Sequence, residues 1–243
     1  MNRRVRLLVF AVGAAGLAAM FALAVAGMPP FGGAAHPYRD LAVPAALGHA
    51  TANVVASVTF DQRGLDTLGE EVILLASVIG AAALLRTRPG EHEHHPLADP
   101  RQPEAVALVA YLLLPLILLI GLNLVVHGHL TPGGGFQGGV VLATGLHLLY
   151  LSGGYRSLRR LRPIEWYQWV EGASTLAFAG VGLGGLALGA GLLANVLPYG
   201  PFQQLLSAGT VPVLNVVVGL AVGAGAVVLL GQFLTQAVAE ERR

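Results

Sequence analysis

The sequence predicts an all-α integral membrane protein with about six transmembrane helices and both termini on the cytoplasmic side. Composition, the lengths of the apolar runs and the placement of arginine predict it. Of 243 residues, 55% are hydrophobic and only 11% are charged, and the mean hydropathy is +0.68. A soluble domain carries about 25% charged residues. This chain has too few to cover a globular surface, so lipid is the solvent its composition fits. A net charge of +1 gives no electrostatic case for a nucleic-acid partner. With no cysteine there is no disulfide framework, thiol catalyst or cysteine-ligated metal.

A helix needs roughly 20 apolar residues to cross the hydrocarbon layer. Segments near 7–28, 104–126, 136–154, 170–197 and 211–236 meet that length with little or no internal charge. A sixth, near 67–86, spans only if it takes in Glu70 and Glu71. Arginine supplies an independent test, since cytoplasmic loops carry the excess of basic residues. In this topology every arginine except Arg39 and Arg63 falls on one side. The first segment also fits a cleaved signal peptide, Ala24-Val25-Ala26 resembling the cleavage site. Its apolar core, Leu7 to Ala26, exceeds the roughly 7–15 residues usual there, which favours a retained helix.

Residues 87–103 form a linker rich in proline, histidine and charge, dividing a two-helix segment (1–86) from a four-helix domain (104–238). Its His92, His94 and His95 read as a solvated tract without a ligand cage. Segment 47–60 is apolar but too short to span and is expected at the outer interface. The pairs Gly180/Gly184, Gly185/Gly189 and Gly219/Gly223 have the small-xxx-small spacing that lets helix backbones approach closely. Trp166, Tyr167 and Trp169 stand where an interfacial aromatic belt belongs.

Ionisable groups inside a bilayer cost roughly 2.5–3.5 kcal/mol each on insertion scales and are candidate functional sites. Glu70 and Glu71 qualify, with Asp61 and Asp66 just before them. Adjacent helical residues do not share a face, so at most one of the two glutamates lines an ion path. Glu70 is the preferred one, because Asp66 or Thr67 already supplies a helix cap. The alternative is that these acids anchor the outer end of the helix, where the dipole favours negative charge. Glu171, a few residues into the fifth span, is open to the same two readings. His147, mid-span, is either a proton relay or a hydrogen-bonded packing residue. His127 and His129 read as interfacial histidines, two ligands being too few for a zinc site.

Gly133, Gly135 and Gly138 match the G-x-G-x-x-G spacing of dinucleotide-binding turns. That fingerprint requires a preceding strand and an acid about 20 residues on. Here a membrane-length helix precedes the run and position 158 is leucine, so no nucleotide is expected. Pro132 fits the first turn of a helix. Gly133, Gly134, Gly135, Gly138 and Gly139 permit unusual dihedrals and close approach of another chain. The run is therefore a tight helix junction or the lip of an ion-access cavity.

GHLTPGGGFQGGVVLA (128–143), NVLPYG (195–200) and SAGTVPVLNVVVGL (207–220) resemble the B-type component (MnhB/MrpB) of the multisubunit Mrp/Mnh sodium/proton antiporters, over roughly 104–238. NVVASVTFDQRGLDTLGEEVILLASVIGAAALL (53–85) resembles the C-terminal membrane segment of the large A-type component of that antiporter. It is also similar to a separate small component (MbhE) of membrane-bound hydrogenases related to respiratory complex I. The resemblance implies a natural fusion of two neighbouring subunits in the bacterial cytoplasmic membrane. It implies A-, C- and D-type and small subunits as partners, Na⁺ and H⁺ as cargo, and no cofactor or metal. It also implies transport rather than enzymatic function, with Asp66, Glu70 and Glu171 at acidic family positions. Ala221 and Val222 follow Leu220 where the family often carries a charge, so no charge relay is expected in the last span. The alternatives are a membrane-arm component of a hydrogenase-like complex and a protein with a purely structural role in assembly.

Overall fold

The computed structural model describes residues 3–28, 32–33, 36–85, 104–161 and 164–240. The 87–103 linker and its histidines lie outside the described residues. The helices are α1 (Arg3–Ala26), α2 (Pro37–Gly48), α3 (Val54–Ser57), α4 (Gly64–Leu84), α5 (Glu104–Val126), α6 (Gly135–Leu161), α7 (Ile164–Ala187) and α8 (Val211–Glu240). A π-helical turn, Val58–Gln62, joins α3 to α4, and no strand occurs among the described residues. Two compact units result, Met1–Asp40 and Leu41–Arg243. In the first, α1 is apolar all round and none of its residues is buried, which suits a helix whose solvent is lipid.

Five helices, α1, α4, α5, α7 and α8, are long and apolar enough to cross a membrane. α6 is longer than most of them but runs on through Arg156, Arg159 and Arg160 to Leu161, beyond the predicted 154. The segment predicted at 170–197 is corrected at both ends. α7 begins at Ile164, taking in the tryptophans, and stops at Ala187. Gly189 adopts φ +79°, and the Ala190 N–H donates to Gly185 O at 3.0 Å, which closes the helix end. The chain then folds back along α7, where the Leu193 N–H donates to Gly182 O at 3.2 Å.

In the second unit α8 is the central helix, packed against α6, α7, α4 and α5. Its buried residues include Val211, Leu214, Val218, Ala221 and Val228, and they occupy several faces, as an element surrounded by others requires. Segment 47–60 packs against the helices of the second unit. Ala56 and Phe60 are buried against Phe178, Leu193 and Leu214, and the Phe60 and Phe178 rings lie 6.4 Å apart. α3 starts where Asn53 caps it, its Oδ1 accepting from the Val55 and Ala56 amides.

The glycine run is the junction of α5, α6 and α8. Pro132 is not in a first helical turn, as expected, but in the loop before it. Gly133 and Gly134 adopt φ +142° and +139°, so helix begins only at Gly135. A methyl at Gly135 would stand 2.5 Å from Asn215 O, and one at Gly139 would stand 2.8 Å from Gly219 O. A methyl at Gly138 would collide with Val125 and lie 2.8 Å from Gly121 O. Gly219 and Gly223 thus serve packing within the chain. Gly180 and Gly184 face open space, with nothing within 4 Å of an added Cβ. Gly138→Ala is therefore expected to cost about 1–3 kcal/mol through overpacking. Gly180→Ala should stay within about 0.5 kcal/mol of the parent. Thermal unfolding of the two variants in detergent checks the contrast.

Candidate functional site

α4 turns one stripe inward: Gly64, Thr67, Glu71 and Val78, spaced as a single helical face. The inward glutamate is accordingly Glu71, 1% exposed, while its neighbour Glu70 lies on the exposed face of the chain. The two side chains are a helical step of about 100° apart, so only one of them faces the other helices of this chain. α7 turns inward Glu171, Ser174, Thr175 and Phe178. Glu171 is 2% exposed.

Neither oxygen of Glu71, nor Glu171 Oε1, has a hydrogen-bond partner among the described residues, and the two acids lie within electrostatic reach of each other. Gly225 of α8 makes room for the second. A methyl there would sit 2.7 Å from Glu171 Oε1 and 3.3 Å from Val78 Cγ2. That puts the Glu171 carboxyl level with Val78, seven residues past Glu71, or about 10 Å further along the axis at roughly 1.5 Å per residue. On that spacing the two acids are staggered, and Ser174 and Thr175, one turn beyond Glu171 on α7, are also buried.

From Glu171 toward the arginine-rich end, a cleft of ≈ 1060 Å³ is lined by α4, α7 and α8, including Val78, Trp169, Leu176 and the polar Glu165, Gln168 and Gln232. From Glu71 toward the other end come Thr67, whose hydroxyl donates to Thr59 O at 2.7 Å, and then the π-helical turn. There Asp61 meets His49 Nδ1 at 2.5 Å. A column of polar groups therefore runs from the α4–α7 interface to the π-helical turn.

Other predicted residues lie elsewhere. Asp66 is half exposed and bonded to Arg63, whose Nε donates to its Oδ2 at 2.6 Å, as an end-of-helix pair. His147 packs on the α8 side, its Nε2 buried without a partner. His129 is fully buried, and burial lowers its pKa, an effect the nearby Gln204 and Leu205 carbonyls offset in part. The reading of the sequence missed Asn53, Asn195 and Asn215. Asn53 Nδ2 donates to Gly128 O at 2.7 Å and Thr131 O at 2.9 Å, tying the α3 segment to the glycine loop. Asn195 Oδ1 accepts the Thr210 amide at 2.8 Å, and Asn215 Oδ1 accepts the Gly135 amide at 2.8 Å. A lone asparagine in an apolar run, as at 215, was the available signal.

Fold and site together define a multi-pass, all-helical membrane protein. Residues 105–228 match the family of domains related to the MnhB subunit of Na⁺/H⁺ antiporters. Residues 2–102 match the MbhE family, the E component of MBH. An uncharacterized protein of Methanocaldococcus jannaschii is 31% identical over 71% of this chain and 73% of its own length. The A/B component of a probable K⁺/H⁺ antiporter of Rhizobium meliloti is 30% identical over 68% of this chain, which spans only 18% of that protein. The B component of an Na⁺/H⁺ antiporter of Bacillus subtilis is 34% identical over 39% of this chain and 63% of its own. Among solved structures, an archaeal membrane-bound sulfane sulfur reductase contains a chain with TM-score 0.74 and 27% identity, covering 95% of this chain and 98% of that one. A chain of the Mrp complex from Dietzia gives TM-score 0.68 and 26% identity, covering 96% of this chain and 26% of that one. The chain belongs to the family of proteins related to the MnhB subunit of Na⁺/H⁺ antiporters, and it also carries the MbhE-type segment.

His129 gives a pH signature for the loop between α5 and α6. Its folded pKa is lowered from 6.5, so the unfolded chain binds more protons as pH falls, and stability falls with it below about pH 6.5. His129→Gln should therefore lose less melting temperature than the parent between about pH 8 and about pH 5.5. Paired thermal melts of the purified protein measure this.

Proposed function

We propose that this chain is a membrane subunit of a multisubunit monovalent-cation/proton antiporter and that Glu71 and Glu171 are successive stations of its ion path. The observation that carries the reading is the pair of buried carboxyl groups, three of whose oxygens have no hydrogen-bond partner among the described residues, staggered along one interface. Uncompensated negative charges held away from water are costly and call for a positive species. A proton and a small cation both meet that need, and a group that binds either in turn exchanges one for the other. Ser174, Thr175 and Thr67, on the same two helices as the acids, supply hydroxyl oxygens. The cleft beside Glu165, Gln168 and Gln232 supplies access from one end.

We take the arginine-rich end as cytoplasmic, with α1 and α4 to α8 as six crossings, which the distribution of arginine supports. The host membrane on this reading is a bacterial plasma membrane, and the partners are the A-, C- and D-type and small antiporter subunits. The relatives' names divide between Na⁺ and K⁺, and both ions belong in the assay. Within this reading the chain moves ions and catalyses no covalent chemistry.

A second reading has a specific observation behind it: the sulfane sulfur reductase chain matches over nearly its whole length. On that reading the same path serves a redox-driven complex, and the genes beside this one, or the proteins that co-purify with it, separate the two.

Glu71→Gln and Glu171→Gln, each expressed with all partner subunits, should lower cation-dependent proton exchange in everted vesicles by at least about tenfold, a barrier change of about 1.4 kcal/mol or more. Glu70→Gln should retain most of it. Normal exchange by fully assembled complexes carrying either inward-facing substitution would leave only a scaffolding role.

A further inference from the structure

The path described above needs an end at the arginine-poor face, and one cluster there has a use the two glutamates do not explain. His49, at the end of α2, and Asp61, in the π-helical turn, form an ion pair at 2.5 Å. The exposures of the partners are unequal: the His49 side chain is 39% exposed and that of Asp61 only 5%. The imidazole reaches the medium while the carboxylate is held inside. A face of the imidazole stacks on Tyr199, with centroids 4.4 Å apart and planes 18° from parallel. Tyr199 belongs to the irregular segment 188–210 between α7 and α8.

We propose that the His49–Asp61 pair is a proton-binding site of the arginine-poor face, and that its proton latches the 188–210 segment over the end of the polar column. The proposal rests on the ion-path reading for its purpose, though not for its geometry. With His49 protonated, the buried carboxylate has its counter-charge, and the cation also favours the tyrosine face it stacks on. With His49 neutral, both attractions weaken together. Asp61 is then a nearly buried charge held by a neutral hydrogen bond at most, which is a weaker compensation, and hydrating it requires the segment above to move. Asp61 and Tyr199 are the titratable groups the described contacts place against His49, one from each element packed on it.

The segment is built to let go. Leu193, Gln203 and Ala208 hold left-handed backbone at φ +60°, +63° and +69°, each a strained state for a residue with a Cβ. Such conformations persist only while their surroundings hold them. The pair is also wired to the interior. Asp61 lies in a π-helical turn, a backbone form frequent at functional sites. That turn presents Thr59 O to the hydroxyl of Thr67, one helical turn from Glu71. The sign follows from the charges: a proton held by the pair closes the latch, and its loss at higher pH opens it.

The chain contains no cysteine, so single cysteines introduced into it report one place each. Ser207, within the segment, is fully buried, and its neighbour Leu206 is 84% exposed. The experiment measures maleimide labelling of Ser207→Cys relative to Leu206→Cys, in the detergent-solubilised complex, from about pH 5.5 to about pH 8.5. The ratio removes the thiol's own dependence on pH. The expected result is a rise on the order of fivefold in the parent background. With His49→Gln or Asp61→Asn, the ratio should be high and flat, since neither variant can form the charged pair. A flat ratio in the parent, or a rise that survives His49→Gln, overturns the proposal. Because labelling is independent of transport, failure of the Glu71 and Glu171 substitutions to stop exchange bears on the ion path and leaves this result to stand or fall by itself.

Discussion

The backbone of α6 lies so close to that of α8 that no side chain fits between them at Gly135 and Gly139, where an added methyl would overlap a carbonyl oxygen of the opposite helix. Without a hydrophobic driving force between apolar helices in lipid, such close approach supplies the dispersion contacts that hold a bundle together. The rest of the second unit is arranged around it. α5 closes on α6 through Gly121 and Gly138, and Asn215 fixes the register of α8 by accepting the first amide of α6. An N–H at a helix start has no partner of its own in the helix, so a buried one needs a side chain such as this asparagine.

A central helix held in that way can carry a gap on its other side. Gly225 faces α7 and not α6, and its missing side chain is the space into which the Glu171 carboxyl projects. The same residue type thus does two things on one helix: it excludes a side chain to bring backbones together, and it leaves room for a charged group. The cost of keeping Glu71 and Glu171 from water falls on a bundle whose cohesion lies elsewhere, at the α5–α6–α8 junction.

The segment from Leu41 to Leu85 is bound to the four C-terminal helices by polar as well as apolar contacts. Asn53 caps α3 with its oxygen and with its amide holds two carbonyls of the glycine loop, so one side chain joins the two matched sequence regions. Phe60 and Ala56 complete the same joint in the core formed by α7, α8 and the returning 188–210 segment. A site made from Glu71 on one region and Glu171 on the other requires this docking, since neither region contains both acids.

The sequence by itself determined the all-helical membrane architecture and the capacity of the glycine run for close backbone approach, because span length and lack of a side chain are local properties. Tertiary structure decided what depends on neighbours. It put Glu71 inside and Glu70 on the exposed face, since a single helix does not say which of two adjacent residues will meet another helix. It ended α7 at Ala187, because residues 188–210 find hydrogen bonds by folding back that an apolar run does not announce. It also joined His49 to Asp61 and Tyr199, three residues from three elements, whose meeting is fixed by packing and not by any spacing along the chain.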